Sequence, residues 1–279
     1  MTSTQFEVDE ISSAYWRISF ANGPLNLLDE NTVVELAGLL TRMEQEPALT
    51  VAVFTSSNPD YFMAHWDVRS GRDRIAALPP TPTGLDPYLD NLIRLSRLPL
   101  LTVSAVRGRA RGAGSEFVLA TDVRFAGDRA VLGQFEVAAG AVPGGGPMAR
   151  LPRLVGRGRA LEILLGADDF PAGVAAAYGY VNRVVPDAEL DAFTDAFARR
   201  VAGFDKTAVR ETKELVDVAS LPPEAEFPPG HQAFGRSLRR PGMQERFARL
   251  FTAGFQQPGN FELDLGARIA GTPVEPTEV

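Results

Sequence analysis

The sequence predicts an α/β fold followed by a helical region, on three observations. Short β-branched runs alternate with amphipathic helical segments. An apolar run at 100–106 leads straight into a glycine-rich turn and then a helix. Beyond Pro186 the hydrophobic period is helical throughout. The chain therefore divides into an α/β core, residues 1–190, and a helical tail, residues 191–279.

Taken in order, residues 15–20 read as a strand and Asn22-Gly23-Pro24 as a turn. Asp29 or Asn31 can cap a helix with Val33, Leu36, Leu40 and Met43 on one face, and Pro47 follows its end. Residues 50–55 form a short β-branched run, read as a buried strand. Residues 75–86, with Pro79, Pro80 and Pro82, read as a mobile surface loop. A helix over 87–97 carries Leu89, Leu92, Ile93 and Leu95. A strand over 100–106, a small-residue helix over 115–120 and a strand over 123–126 complete the alternation. In the tail, Leu190, Phe193, Phe197 and Val201 make one stripe. Helices over 206–219 and 244–253 follow, with Pro222, Pro223, Pro228 and Pro229 between them.

Composition narrows the function. A formal charge of −7 disfavours nucleic acid, whose phosphates need a basic footprint, and disfavours a membrane surface. The absence of cysteine excludes disulfides, thiolate catalysis and cysteine-based metal sites. One His with scattered acids makes no metal site at His231. The start, Met1-Thr2-Ser3-Thr4-Gln5-Phe6, lacks a basic segment followed by an apolar one. No stretch approaches the length of a membrane span, so a cytoplasmic location is expected.

Two glycine runs stand beside two carboxylates. Gly112-Ala113-Gly114 follows a strand and opens a helix; Gly144-Gly145-Gly146 precedes Pro147, a favourable first helical residue. Both would present backbone amides to an anion or a developing oxyanion, or would serve only close packing and left-handed turns. The spacing from Gly108 to Gly114 is G-x-x-x-G-x-G, which is neither a P-loop nor a dinucleotide fingerprint. Glu116 lies in the first turn of an apolar helix, and Glu136 lies shortly before the second glycine run. A carboxyl in apolar surroundings titrates high enough for acid–base work near neutral pH. Singly, Glu116 also suits a helix-dipole partner and Glu136 a solvated loop charge.

Several motifs occur in one order across residues 15–186. They are Asn22-Gly23-Pro24-Leu25-Asn26, Phe62-Met63-Ala64-His65-Trp66-Asp67, the stretch from Ser104 to Glu116, Leu132-Gly133-Gln134-Phe135-Glu136, and Pro143-Gly144-Gly145-Gly146. Arg150-Leu151-Pro152-Arg153-Leu154-Val155-Gly156 and the stretch from Ala172 to Pro186 continue the series. Together they resemble the crotonase (enoyl-CoA hydratase/isomerase) family. The resemblance implies a spiral of ββα units with a C-terminal helical region, assembled as a trimer or a dimer of trimers.

It further implies an acyl-CoA substrate, with coenzyme A carried in by the substrate and no permanently bound cofactor. By position, the N–H groups of Trp66 and Ala113 would bind the thioester oxygen. Glu116 would orient or deprotonate a water and Glu136 would deliver the α-proton in hydration of a 2-enoyl-CoA. Pro24, Leu25, Ala64, His65, Asp67, Gly112 and Gly144 would contact substrate or coenzyme A. The alternatives are another enolate reaction, such as isomerisation, decarboxylation or a biosynthetic acyl-CoA step, or a non-catalytic acyl-CoA-binding protein.

The departure from the family pattern is His65-Trp66, where the family has small residues. Trp66 would serve lid packing, or reshape the acyl pocket and stack on an aromatic acyl group; His65 is expected at the surface. Arg107, Arg109 and Arg111 alternate like a solvated strand edge. The tail arginines Arg236, Arg239, Arg240, Arg246 and Arg249 would bind cofactor phosphates or line a solvated helix face.

Overall fold

The structure, a computed structural model, describes residues 4–271. Met1 to Ser3, the start of the stretch inspected for a targeting sequence, lie outside the described residues, as do the last eight residues of the tail. The strands are β1 (Phe6–Ser12), β2 (Tyr15–Phe20), β3 (Val51–Ser56), β4 (Tyr61–Met63), β5 (Leu101–Val106), β6 (Arg109–Arg111), β7 (Val123–Gly127), β8 (Val131–Gly133), β9 (Asp169–Pro171) and β10 (Arg183–Val185). The core helices are α1 (Glu30–Gln45), α2 (Asp73–Ala76), α3 (Pro87–Ser96), α4 (Ala113–Ala120), α5 (Pro147–Val155), α6 (Arg157–Gly166) and α7 (Ala172–Tyr178). The tail holds α8 (Leu190–Ala202), α9 (Lys206–Ser220), α10 (Pro228–Ser237), α11 (Pro241–Ala253), α12 (Asn260–Leu263) and α13 (Leu265–Ala270).

Two mixed sheets result. The larger has the order β1-β2-β3-β5-β7-β10, antiparallel only between β1 and β2. The smaller has the order β4-β6-β8-β9, antiparallel only between β8 and β9. One core layer joins the larger sheet to α1, α3 and α4 through residues such as Phe54, Leu92 and Phe117. The opposite face is covered by α8 over Tyr15, Val53, Val103 and Phe125. Asp29 caps α1: its carboxylate accepts the Thr32 N–H at 2.9 Å, and the Thr32 hydroxyl accepts the Asp29 N–H at 3.0 Å.

The strands and helices expected at 15–20, 50–55, 87–97, 100–106, 115–120 and 123–126 all form, within two residues of the expected bounds. Three-residue strands β4, β6, β8 and β9 carry too few residues for an alternation signal, which is why the smaller sheet was not foreseen. Residues 75–86 begin inside a helical turn with Ile75 buried, and Asp90 accepts both the Thr83 N–H and the Thr83 hydroxyl.

The most consequential element is α4. All eight of its residues are buried, because Ala113, Gly114, Ser115 and Ala120 are small enough to let neighbours close on every side. A carboxylate on such a helix leaves water, and Glu116 is 3% exposed.

Candidate active site

The floor of the site is set by two parallel strands. β4 pairs with β6, and beyond their ends the Arg111 N–H donates to the Ala64 carbonyl at 3.1 Å. The two chains leave this point side by side, one toward Trp66 and the other through Gly112 to Ala113. Trp66 forms a parallel bridge with Leu28, in which the His65 carbonyl accepts from Leu28 N–H and the Asp67 N–H donates to the Leu28 carbonyl. That pattern turns the N–H of Trp66 itself away from Leu28. Ala113 is the first residue of α4, where an N–H has no partner within the helix. Among the described residues neither N–H meets an acceptor.

The glycines around Ala113 have steric reasons. Gly112 has φ +49°, and a Cβ there would lie 2.6 Å from Glu136 Oε1. A Cβ on Gly114 would lie 1.9 Å from the Met63 carbonyl oxygen, so α4 can approach β4 only with glycine there. Ala113 has negative φ, which an alanine adopts without strain.

The two glutamates meet unequal surroundings. Glu116 Oε1 accepts the Gly145 N–H at 2.7 Å, and Oε2 accepts the Tyr88 hydroxyl at 2.6 Å. Burial raises its carboxyl above the ordinary range, and the Tyr88 and Gly145 donors oppose that rise. Glu136 lacks a comparable pair of donors: its Oε2 is buried without a hydrogen-bond partner, and only its own backbone N–H bears on the carboxylate. Burial, and then the charge of Glu116, push the Glu136 carboxyl well above its ordinary value. Of the pair, Glu136 is the carboxyl pushed further up and Glu116 the one whose rise is opposed by donors.

Both glutamates face one cavity of about 380 Å³, which is also lined by His65, Trp66, Tyr88, Ala113, Phe135 and Gly144. Helices α10 and α11 of the same chain close it with Phe234, Leu238, Met243, Phe247 and Phe251. A larger cavity of about 800 Å³ lies between α9 and the ends of β5 and β7, but none of the predicted site residues lines it. Gly144 lines this cavity, and its carbonyl lies 3.2 Å from His231 Nδ1. Pro24, Leu25, Ala64, Asp67 and Gly112 stand outside the chamber walls. Ala64 and Leu25 are buried against Tyr61, Pro24 accepts from the Asn58 amide, and the Asp67 carboxylate accepts the Arg69 N–H.

Two expectations are corrected. His65 is not at the surface: it is 1% exposed, with Nε2 3.1 Å from the Glu262 carboxylate and Nδ1 3.0 Å from the Trp66 carbonyl. Its ring stacks on Phe255 at 4.7 Å, so a large residue at this position ties the loop to the tail. The three arginines are not a solvated strand edge. Arg111 is 1% exposed, forms a bidentate pair with Asp169 at 2.6 and 2.7 Å, and donates to the carbonyls of Glu262 and Leu263. Arg109 also donates to the Leu263 carbonyl, and Arg107 to that of Asp187.

Tyr88 and His231 are site residues that sequence reasoning missed. Tyr88 stands two residues after the cap of α3, in a segment without a motif. His231 lies 3.6 Å from Asp86, which raises its imidazole above the ordinary value, and Asp86 is also held by Arg72 at 2.6 Å. Among the described residues no helix is long and apolar enough to cross a membrane.

Comparison with known proteins identifies the scaffold. The profile of the "Enoyl-CoA hydratase/isomerase" family matches residues 10–227. The chain belongs to this family, the crotonases. It is 33% identical over 199 residues to the crotonyl-CoA hydratase of Syntrophomonas wolfei, covering 70% of this chain and 75% of that one. The short-chain-enoyl-CoA hydratase of Clostridium acetobutylicum is 29% identical, over 69% of this chain and 73% of its own. A crystal structure from Streptomyces avermitilis, assigned to the enoyl-CoA hydratases, superposes with a TM-score of 0.90 at 39% identity, covering 96% of this chain and 98% of that one. The crotonase fold, with two mixed sheets and C-terminal helices, is thus the architecture of this protein.

Proposed function

We infer that the protein hydrates a 2-enoyl-CoA thioester. The observation that carries this reading is the pair of unlike carboxyls in one chamber: Glu116 held between the Tyr88 and Gly145 donors, Glu136 with one oxygen buried without a partner. Hydration needs one base and one acid at once, and environments that push two carboxyls apart supply both.

In this reading the thioester oxygen accepts from the N–H groups of Trp66 and Ala113, which stabilise the enolate-like charge as it forms. Glu116 takes a proton from water as the water oxygen bonds to C3. The electron pair of the double bond moves toward the thioester, and C2 takes the proton of Glu136. The sum is addition of one water, and the proton left on Glu116 returns to Glu136 through solvent. No cofactor enters, because coenzyme A is part of the substrate. The names of the relatives, crotonyl-CoA and short-chain-enoyl-CoA hydratase, support the same class of reaction. Assembly as a homotrimer or a dimer of trimers would cover α9, where Leu215 is 75% and Val218 88% exposed.

The test is the ultraviolet absorbance of crotonyl-CoA and cinnamoyl-CoA with the purified protein, beside Glu116→Gln and Glu136→Gln. Loss of the conjugated enoyl band with wild type, and not with either variant, is expected. Undiminished hydration by both variants would refute the assignment of the pair. Isomerisation without net hydration would favour another enolate reaction on this scaffold.

A further inference from the structure

The chamber that holds Glu116 and Glu136 is walled by six aromatic rings: Trp66, Tyr88, Phe135, Phe234, Phe247 and Phe251. Trp66 and Tyr88 meet edge to face at 5.8 Å, immediately beside Glu116. The geometry points to an acyl group that carries an aromatic ring as the substrate class, an inference that rests on the acyl-CoA reading above.

Rigidity is the first argument. The wall is braced from behind by Phe255, which is 0% exposed. Its ring centroid lies 4.7 Å from that of His65, 5.8 Å from Phe135, 5.9 Å from Phe247 and 5.7 Å from Phe251. Phe251 is further held by the guanidinium of Arg69, 4.2 Å from its centroid. Rings interlocked in this way cannot collapse onto a small acyl group, so space left unfilled stays unfilled.

Size is the second. An apolar cavity of about 150 Å³ accommodates benzene. This chamber, at about 380 Å³, offers more than twice that space. A four-carbon acyl chain has fewer carbon atoms than benzene and leaves most of the wall without a contact. A ring conjugated to the enoyl group reaches it. Rings also prefer edge-to-face and offset partners, which an aromatic wall supplies and an aliphatic chain does not exploit.

Charge is the third. Of the basic side chains that line the chamber, Arg72 and His231 are both tied to Asp86, at 2.6 and 3.6 Å, while the Arg69 guanidinium lies over Phe251. An anionic acyl tail would have to compete with that carboxylate, so the chamber favours a neutral group.

The experiment is calorimetric titration of the wild-type protein with three saturated thioesters, butyryl-CoA, octanoyl-CoA and 3-phenylpropanoyl-CoA. None of these can be hydrated, so the result does not depend on the reaction. Expected is at least tenfold tighter binding of 3-phenylpropanoyl-CoA than of butyryl-CoA, with octanoyl-CoA weaker than the aromatic thioester. In Phe247→Ala the advantage of the aromatic thioester over butyryl-CoA should shrink at least fivefold. Equal binding of butyryl-CoA and 3-phenylpropanoyl-CoA would overturn the inference, as would a preference for octanoyl-CoA. Binding of none of the three would overturn the acyl-thioester reading with it. Aromatic preference in binding without hydration of cinnamoyl-CoA would instead keep this inference and refute the hydratase reading.

Discussion

The two sides of the chamber are built by different means. The core side, with Trp66, Ala113, Glu116 and Glu136, is made of strand ends and a buried helix start, where backbone approach leaves no freedom. The tail side, with Phe234, Phe247 and Phe251, is made of side chains on helices that bury little else; α11 buries only Met243 and Leu250. One side brings backbone so close that Gly112 and Gly114 have no room for a Cβ. The other holds a shape. On the proposed function, the first side would carry the chemistry and the second the selectivity.

Four changes test that division, from the largest effect to the smallest. Glu116→Gln and Glu136→Gln remove the base and the acid, and each should lower kcat by about 10²–10⁴-fold with the fold intact by circular dichroism. A loss confined to KM would break the comparison. On the other side, Phe255→Ala withdraws the brace behind the aromatic wall. It should cost about 3–5 kcal/mol in urea unfolding and erase discrimination among acyl groups. An unchanged selectivity in a folded Phe255→Ala protein would mean that the wall holds itself.

Tyr88→Phe sharpens the assignment within the core side. The groups facing Glu116 are the Tyr88 hydroxyl, the Gly145 amide, Glu136, and at longer range His231 and Arg150. Removing the Tyr88 donor leaves the Glu116 carboxylate less stabilised, so its carboxyl should rise further. Activity that requires ionised Glu116 should then fail at a higher pH. The acid limb of the kcat profile is expected to move up while the alkaline limb, set by Glu136, stays in place. Movement of the alkaline limb alone would reverse the two roles.

The smallest effect is on stability. Folded Glu136 holds its proton above 4.5, the ordinary carboxyl value at which the unfolded chain loses it. Between that value and its raised folded value, unfolding releases a proton, so stability declines as pH rises through the window. Glu136→Gln removes this dependence. Its urea midpoint should match wild type near pH 4 and exceed it modestly at pH 7. A variant less stable than wild type at pH 7 would show Glu136 to be structurally supported after all.

The core side was legible in the sequence because its parts are local. Gly112 and Gly114 flank Ala113, Glu116 follows within one helical turn, and Glu136 stands eight residues before Gly144. Four strands of the larger sheet, β2, β3, β5 and β7, were legible because they are five- to six-residue runs rich in β-branched and aromatic residues, whereas β4, β6 and β8 are too short to show a period. Tyr88, His231 and the His65–Glu262 pair were not legible, since partners 28, 87 and 197 residues apart meet only through the fold. One signal lay in the spacing: Phe247 and Phe251 stand four residues apart on one face of α11, and Phe255 follows just past its end.

The anchoring of Arg111 carries a consequence for how the chain divides. Its guanidinium, buried in the smaller sheet, reaches across to the carbonyls of Glu262 and Leu263, while Glu262 grips His65 beside the thioester donors. A boundary at residue 190 therefore marks a change of composition, not a seam. A fragment ending there would keep Glu116 and Glu136 and lose two acceptors of a buried cation. It would also expose the inner face of its own active-site floor to water. Arg111 and His65 thus tie core to tail by buried contacts that cross the place where the sequence looks most divisible.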